Sequence, residues 1–288
     1  YYQEKSGEPI TRYFLTGGTA YEQRRMIETL LQSSRPPAVV IWGVAPTSFF
    51  NKDVHGIRWS QFPEYLLQKD PSLMRYIFSY QTFYRLLRQI PERLKGTAQT
   101  AQERFLSDMH ATPLGRDNIY ASYCGEKMQE RLARLHAYNY PLMQAQITQN
   151  MVPILAAHPD TRFIFFLPPY SLVQFVEFDQ AGFLREVMAF RRLLADTAAR
   201  YGNVTLYDFQ ADIPMISDDD DHRDSIHYGQ KTTRRMIDDM LSGRNKVTAA
   251  QIDARTKTLE SVVKQRRDSI WHDIKDYCAQ AGQPVVLP

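Results

Sequence analysis

Four short runs of hydrophobic residues punctuate the chain: 11–16 (TRYFLT), 38–45 (AVVIWGVA), 162–167 (RFIFFL) and 204–209 (VTLYDF). Each carries its apolar residues in a continuous stretch instead of strictly alternating, the pattern of a strand buried on both faces of a parallel sheet. Helical periodicity fills the gaps. In 20–32 (AYEQRRMIETLLQ) Tyr21, Met26, Ile27, Leu30 and Leu31 fall largely on one stripe, and in 183–200 Leu184, Val187, Met188, Leu194 and Ala198 do the same. Residues 230–241 read as another helix. Residues 248–281 read as a long amphipathic one carrying Ile252, Leu259, Val262, Val263, Ile270, Trp271 and Ile274. Two readings of that stripe stand: packing on the chain's own domain, or anchors for a partner's groove. Strand–helix alternation of this kind predicts right-handed βαβ units, and hence an α/β fold built on a three-layer, doubly wound parallel sheet.

A long insertion, about residues 51–160, separates the second run from the third. It opens on an aromatic, irregular stretch and continues with helical patterns over 72–94 and about 125–157. An insertion of that size exceeds a simple crossover and reads as a helical lid over one end of the sheet. The expected organisation is one α/β domain over 1–245, with a C-terminal helical tail over 246–288.

With 288 residues, 43% hydrophobic and 12% aromatic, there is ample material for a packed core. The net charge of +3 arises from 35 basic and 32 acidic residues and leaves no basic stripe, so nucleic acid is not an expected partner. No phosphate-binding glycine loop follows any strand, and the histidines show no metal-ligand spacing, so neither a cofactor nor a metal is expected. No run of about 18 apolar residues is present. Cys124 and Cys278 pair as a disulfide in an oxidising compartment or stand as free thiols in a reducing one.

The candidate chemistry lies in DDDDHRDSIHY, residues 218–228, after the last strand and before a helix. Ligands of open α/β sheets bind at the carboxyl ends of strands. Asp224 and His227, three apart, can place a carboxylate on one imidazole nitrogen while the other faces a cleft, the arrangement that activates a serine hydroxyl. The plainer reading is a solvated Asp–His pair at a helix entry. The acidic run 218–221 reads as a calcium site or as a solvated loop; it lacks EF-hand alternation and glycine. His222, flanked by charges, reads as solvent-facing. Gly17 and Gly18 offer backbone donors for an oxyanion, or simply a turn with Thr19 as helix N-cap. Ser48 is an oxyanion donor or a turn serine. LPPYS (167–171) brings Tyr170 and Ser171 toward the cleft as substrate contacts, with Tyr228 beside them, or else ends a strand with a proline turn that a cis bond could fix.

DSIHY after a C-terminal strand resembles the last block of the SGNH/GDSL hydrolase superfamily. FLTGGTAYEQ, VVIWGVAPTSFF, FIFFLPPYS and NVTLYDF follow in the order of its bacterial cell-envelope branch, kin of the teichoic acid D-alanine-transfer proteins and alginate-type O-acetyltransferases. The resemblance covers about residues 10–242. It implies an SGNH/flavodoxin-like sheet and a serine esterase or O-acyltransferase with Asp224 as acid partner and His227 as base. Gly17 or Gly18 would serve the oxyanion. The substrate implied is a cell-envelope polysaccharide or its acyl carrier, with a membrane acyltransferase as possible partner. The implied place is the periplasmic or extracellular side of the cytoplasmic membrane, with membrane contact only through an N-terminal anchor outside the given sequence. Two departures stand out. No GDS- or GTS-like turn precedes Thr16, and Ser6 follows no strand, so the nucleophile and first strand are expected upstream. The family's GxND asparagine is replaced by Pro46, Thr47 and Ser48. The alternative these departures leave open is a non-catalytic SGNH-like scaffold that binds a glycan or a membrane acyltransferase.

Overall fold

A computed structural model describes residues 1–11, 17–50, 52–53, 55, 90–91, 94–95, 113–125, 139–283 and 285. Three strands pair in parallel and in chain order: β1 (Val39–Gly43), β2 (Arg162–Leu167) and β3 (Val204–Asp208). A two-residue β4 (Lys246–Val247) joins β3 antiparallel, giving a four-stranded, mostly parallel open sheet. Parallel neighbours require long crossovers. Between β1 and β2 lie α3 (Arg116–Ala121), α4 (Tyr140–Asn150) and α5 (Val152–Ala157), numbered after α1 (Tyr2–Ser6) and α2 (Ala20–Leu31). Between β2 and β3 lie α6 (Leu172–Gln180) and α7 (Leu184–Ala199). The chain continues through α8 (Ile213–Ile216), α9 (Gln230–Ser242) and, after β4, α10 (Ala249–Gln280).

The continuous apolar strands have a simple cause. Successive side chains point to opposite faces. Phe163, Phe165 and Leu167 of β2 join one large buried cluster with residues of α2, α4, α6, α7 and α10, whereas Ile164 and Phe166 pack with Tyr207, Phe209, Met215 and Met236. Both faces are therefore covered, and each fully buried Phe contributes about 1.5–3 kcal/mol of hydrophobic stabilisation.

A charged cluster stitches three elements together beneath the sheet's end. Arg191 of α7 and Asp208 of β3 are fully buried, with Arg191 Nη2 2.9 Å from Asp208 Oδ2. Arg255 of α10 adds Nε to the same oxygen at 2.8 Å, and Arg191 also donates to Gln210 and Thr256. Burial pushes the Asp208 carboxyl up, but the two guanidiniums outweigh it and hold the group below the usual carboxylate range.

Helix α10 packs inward: Ile252, Leu259, Val263, Ile270, Trp271 and Ile274 are buried within the chain, so the packing reading of that stripe holds. Cys278, in its last turn, is bonded to Cys124 just past α3, which resolves the pairing the sequence left open. Within the insertion, α4 packs against α2 and α7 as part of the crossover layer. The expected helix over 72–94 and the strand over 11–16 fall almost wholly outside the described residues.

Candidate active site

Three loops leave the carboxyl ends of β1, β2 and β3 and meet one another. After β1, residues Pro46–Ser48 form a 3-10 turn. After β2, Pro168 to Ser171 lead into α6, where Ser171 Oγ accepts from Val173 N as N-cap. After β3 runs the long stretch that carries Asp224 and His227. The second and third loops are tied by Ser171 N donating to Ser225 O at 3.0 Å, and by Ser171 Oγ donating to Asp219 at 3.0 Å. The first and second touch through the Thr47 and Tyr170 hydroxyls, 3.5 Å apart.

His227 Nδ1 lies 2.7 Å from Asp224 Oδ2. The other carboxylate oxygen, Oδ1, accepts from the backbone N–H of Ile226 and of His227, both at 2.8 Å. The carboxylate is thus held by its own loop and in turn sets the ring. Nδ1 carries the proton in the neutral tautomer that donates to Asp224, leaving Nε2 as the basic nitrogen. Nε2 has no hydrogen-bond partner among the described residues, and the side chain is 69% exposed. The bond to Asp224 raises the His227 pKa above its ordinary value; burial and Arg223 oppose this only in part. Burial pushes Asp224 up, but the bond and charge of His227, with the two amides, outweigh it and bring it below the usual range. The pair has the geometry of a general base and its orienting acid.

Apart from this pair, Gly17 takes the left-handed φ of 61° that favours glycine, and Thr19 caps α2 in a full capping box with Glu22. The N-cap reading of Thr19 is therefore realised. Gln23 then draws Gly18 and Ser48 together: its Nε2 donates to Ser48 Oγ at 2.9 Å and to Gly18 O at 3.2 Å, while Trp42 Nε1 donates to its Oε1 at 2.7 Å. An indole N–H can only donate, which fixes the amide's orientation and leaves Ser48 accepting. The Ser48 hydroxyl proton remains available to another acceptor. Sequence reasoning missed Gln23 and Trp42, since nothing local ties them to the turn after β1.

Tyr170 and Ser171 are buried, at 1% and 0% exposure. Burial pushes the Tyr170 phenol up to about 12. Burial raises Tyr228 as well, and neighbouring Tyr170 adds to it. Tyr228 is partly buried and packs on the cluster of Tyr207, Phe209, Met215 and Met236. No peptide bond among the described residues is cis, so the Pro168–Pro169 turn is trans.

One expectation is overturned. His222 is not solvent-facing but 0% exposed, with Nδ1 2.9 Å from Asp218 O and Nε2 3.2 Å from Pro169 O. Its charged neighbours misled because Asp218, Asp219 and Asp221 turn to partners of their own. Lys231 pairs with Asp218, Arg116 and Ser171 meet Asp219, and Asp221 Oδ2 accepts from Thr232 N at the start of α9. Three carboxylates of the acidic run are thereby engaged within the chain. Among the described residues no group of three or more metal-ligating side chains gathers, and no helix is long and apolar enough to cross a membrane. No family model, curated protein or solved structure matches the chain.

Proposed function

We propose that the chain is an SGNH-like serine esterase or O-acyltransferase that acts on a cell-envelope polymer or its acyl carrier. The observation that carries this reading is the Asp224–His227 pair: Nδ1 is anchored at 2.7 Å and Nε2 is open, on a loop beyond the carboxyl ends of parallel strands. In the reaction, a serine hydroxyl gives its proton to His227 Nε2 as it attacks the acyl carbon. Asp224 stabilises the imidazolium, and the same nitrogen returns the proton to the leaving oxygen. Ser48 Oγ–H, with backbone N–H groups of the Gly17–Gly18 turn, would receive the developing oxyanion. The resemblance places the nucleophile on a turn ahead of FLTGGT; Ser6 sits instead in α1 with its hydroxyl bonded to Tyr2 O. Helices on both sheet faces support the three-layer, doubly wound arrangement, and the Cys124–Cys278 bond supports an oxidising compartment on the outer side of the cytoplasmic membrane.

The test is p-nitrophenyl acetate turnover and fluorophosphonate labelling by the product of the gene's complete reading frame. The expected result is labelling of one serine and loss of at least about a thousandfold in kcat in His227→Ala. Turnover surviving in that variant within about threefold removes His227 from the mechanism. A protein that never labels yet binds envelope glycan is instead the non-catalytic scaffold.

A further inference from the structure

The Asp224–His227 loop is the tip of a small hairpin. Its stem is an antiparallel bridge between His222 and Tyr228, closed by Arg223 N donating to His227 O at 2.8 Å. A distant piece of chain, Leu114 to Cys124, holds that stem from outside. Gly115 N donates to His222 O at 2.8 Å, and Asn118 Nδ2 donates to Arg223 O. Arg116 Nε stands 3.5 Å from Asp219 Oδ2. Leu114 packs so closely against Gly229 that a Cβ there would lie 2.9 Å from Leu114 Cδ1. These contacts fall on both sides of Asp224 and His227. Asn118 satisfies the carbonyl immediately before Asp224.

The clamp is itself braced. Cys124 ends the segment in its disulfide to Cys278, and Tyr120 and Tyr123 meet Tyr277 and Trp271 edge-on at 6.0 and 5.8 Å. Helix α10, which supplies those partners, packs on α6 and α7. A continuous mechanical path therefore runs from α10 through the disulfide and α3 to the hairpin stem.

We infer that Asn118 is a positioning residue for His227 and that the Cys124–Cys278 bridge holds Asn118 in place, so the acid–base pair reaches its working geometry only in the oxidised chain. This rests on the functional reading of Asp224–His227 and adds its regulation: the site matures with the bridge. Closing the bridge takes two electrons and two protons from the two thiols and passes them to the disulfide of a thiol oxidant, which leaves as a dithiol. Cys124 and Cys278 are 3% and 0% exposed, so once closed the bond is shielded from reductants and maturation runs one way.

The experiment is an NMR pH titration of the His227 imidazole in the chain itself, as oxidised wild type, oxidised Asn118→Ala and Asn118→Leu, and the bridge-free Cys124→Ser/Cys278→Ser. Loss of the clamp loosens the Asp224–His227 bond, so the midpoint falls toward an ordinary histidine by at least about half a pH unit in all three variants. The Asn118 variants keep a melting temperature close to wild type, since one half-exposed hydrogen bond is worth only about 1 kcal/mol. A His227 midpoint unchanged in the Asn118 variants overturns the proposal, whatever happens to melting. A midpoint unchanged in the bridge variant removes the disulfide from it, and if that variant does not fold, the Asn118 variants decide. The titration needs no turnover, so a wild type without esterase activity fails the hydrolase reading alone.

Discussion

Asp208→Asn is the perturbation whose cost the structure defines best. The carboxylate accepts from Arg191 at 2.9 Å and Arg255 at 2.8 Å. Arg255 is 29% exposed and can regain water; Arg191 is 0% exposed and cannot. Neutralising Asp208 thus leaves one buried guanidinium without its counter-charge, a loss of about 3–5 kcal/mol when a buried pair is broken from one side. Gln210 Oε1 and Thr256 Oγ1 still accept from Arg191, which places the expectation at the lower end, about 3 kcal/mol. For a chain of this size that corresponds to a fall of about 6–12 °C in melting temperature. Arg191→Met should cost less, because Asp208 keeps Arg255. The carboxyl is held below the usual range, so its contribution is present above the unfolded pKa of about 4 and is lost as pH falls through the lower folded value. The variant should therefore show a flatter acid limb. Urea unfolding of both variants between pH 3 and 7, followed by circular dichroism, measures this. A cost below about 1 kcal/mol for Asp208→Asn, or a larger cost for Arg191→Met, would refute the reasoning.

Three further outcomes are expected. Removing Cys124–Cys278 opens a cross-link spanning a sequence separation of 154, worth up to about 5 kcal/mol in the loop-entropy treatment; urea midpoints of the oxidised wild type and of Cys124→Ser/Cys278→Ser check it, and equal midpoints would contradict it. Asp224→Asn removes the charge that raises His227, so the ring's titration midpoint should drop toward about 6.5, and any pH–activity profile that depends on the free base should shift to lower pH with it. A midpoint unmoved by that change would show that the 2.7 Å contact does not persist in solution. Gly229→Ala drives a methyl against Asp221 and against Leu114 Cδ1 at 2.9 Å, disturbing the carboxylate that caps α9; a loss of about 1–3 kcal/mol is expected by thermal melting, and a neutral result would mean the Asp221 cap is dispensable.

Legibility followed the range of the interactions. β2 at Arg162–Leu167 is read residue for residue, and β1 and β3 to within a residue or two at their ends, because double-sided burial leaves few polar positions in such short runs. Helices α2, α7, α9 and α10 carry their own stripes, α2 and α10 with capping boxes as well, and are read equally well. Helix α6 was missed: LVQFVEFDQ is buried almost all round, so it offers no amphipathic period. β4, two residues long, has no pattern to read. Asp224 and His227 are visible because the contact spans three residues. The burial of His222 is not, since it depends on Pro169, and Asn118 reaches Arg223 across 105 positions of chain with nothing local to announce it. The disulfide was undecidable for the same reason.

The brevity of β4 has a consequence for association between molecules. An open sheet exposes a row of unsatisfied peptide groups along its last strand, a template on which another chain can add. Here the strand beyond β3 pairs at only Leu206–Val247 and Tyr207–Lys246 before the chain turns, past Asn245 behind it and Thr248 ahead, into a long helix. A ribbon this stubby presents too few peptide groups for a second copy to dock alongside, and its exposed Lys246 adds a charge that a stacking neighbour would have to bury. On that flank the fold is terminated against self-stacking by truncation.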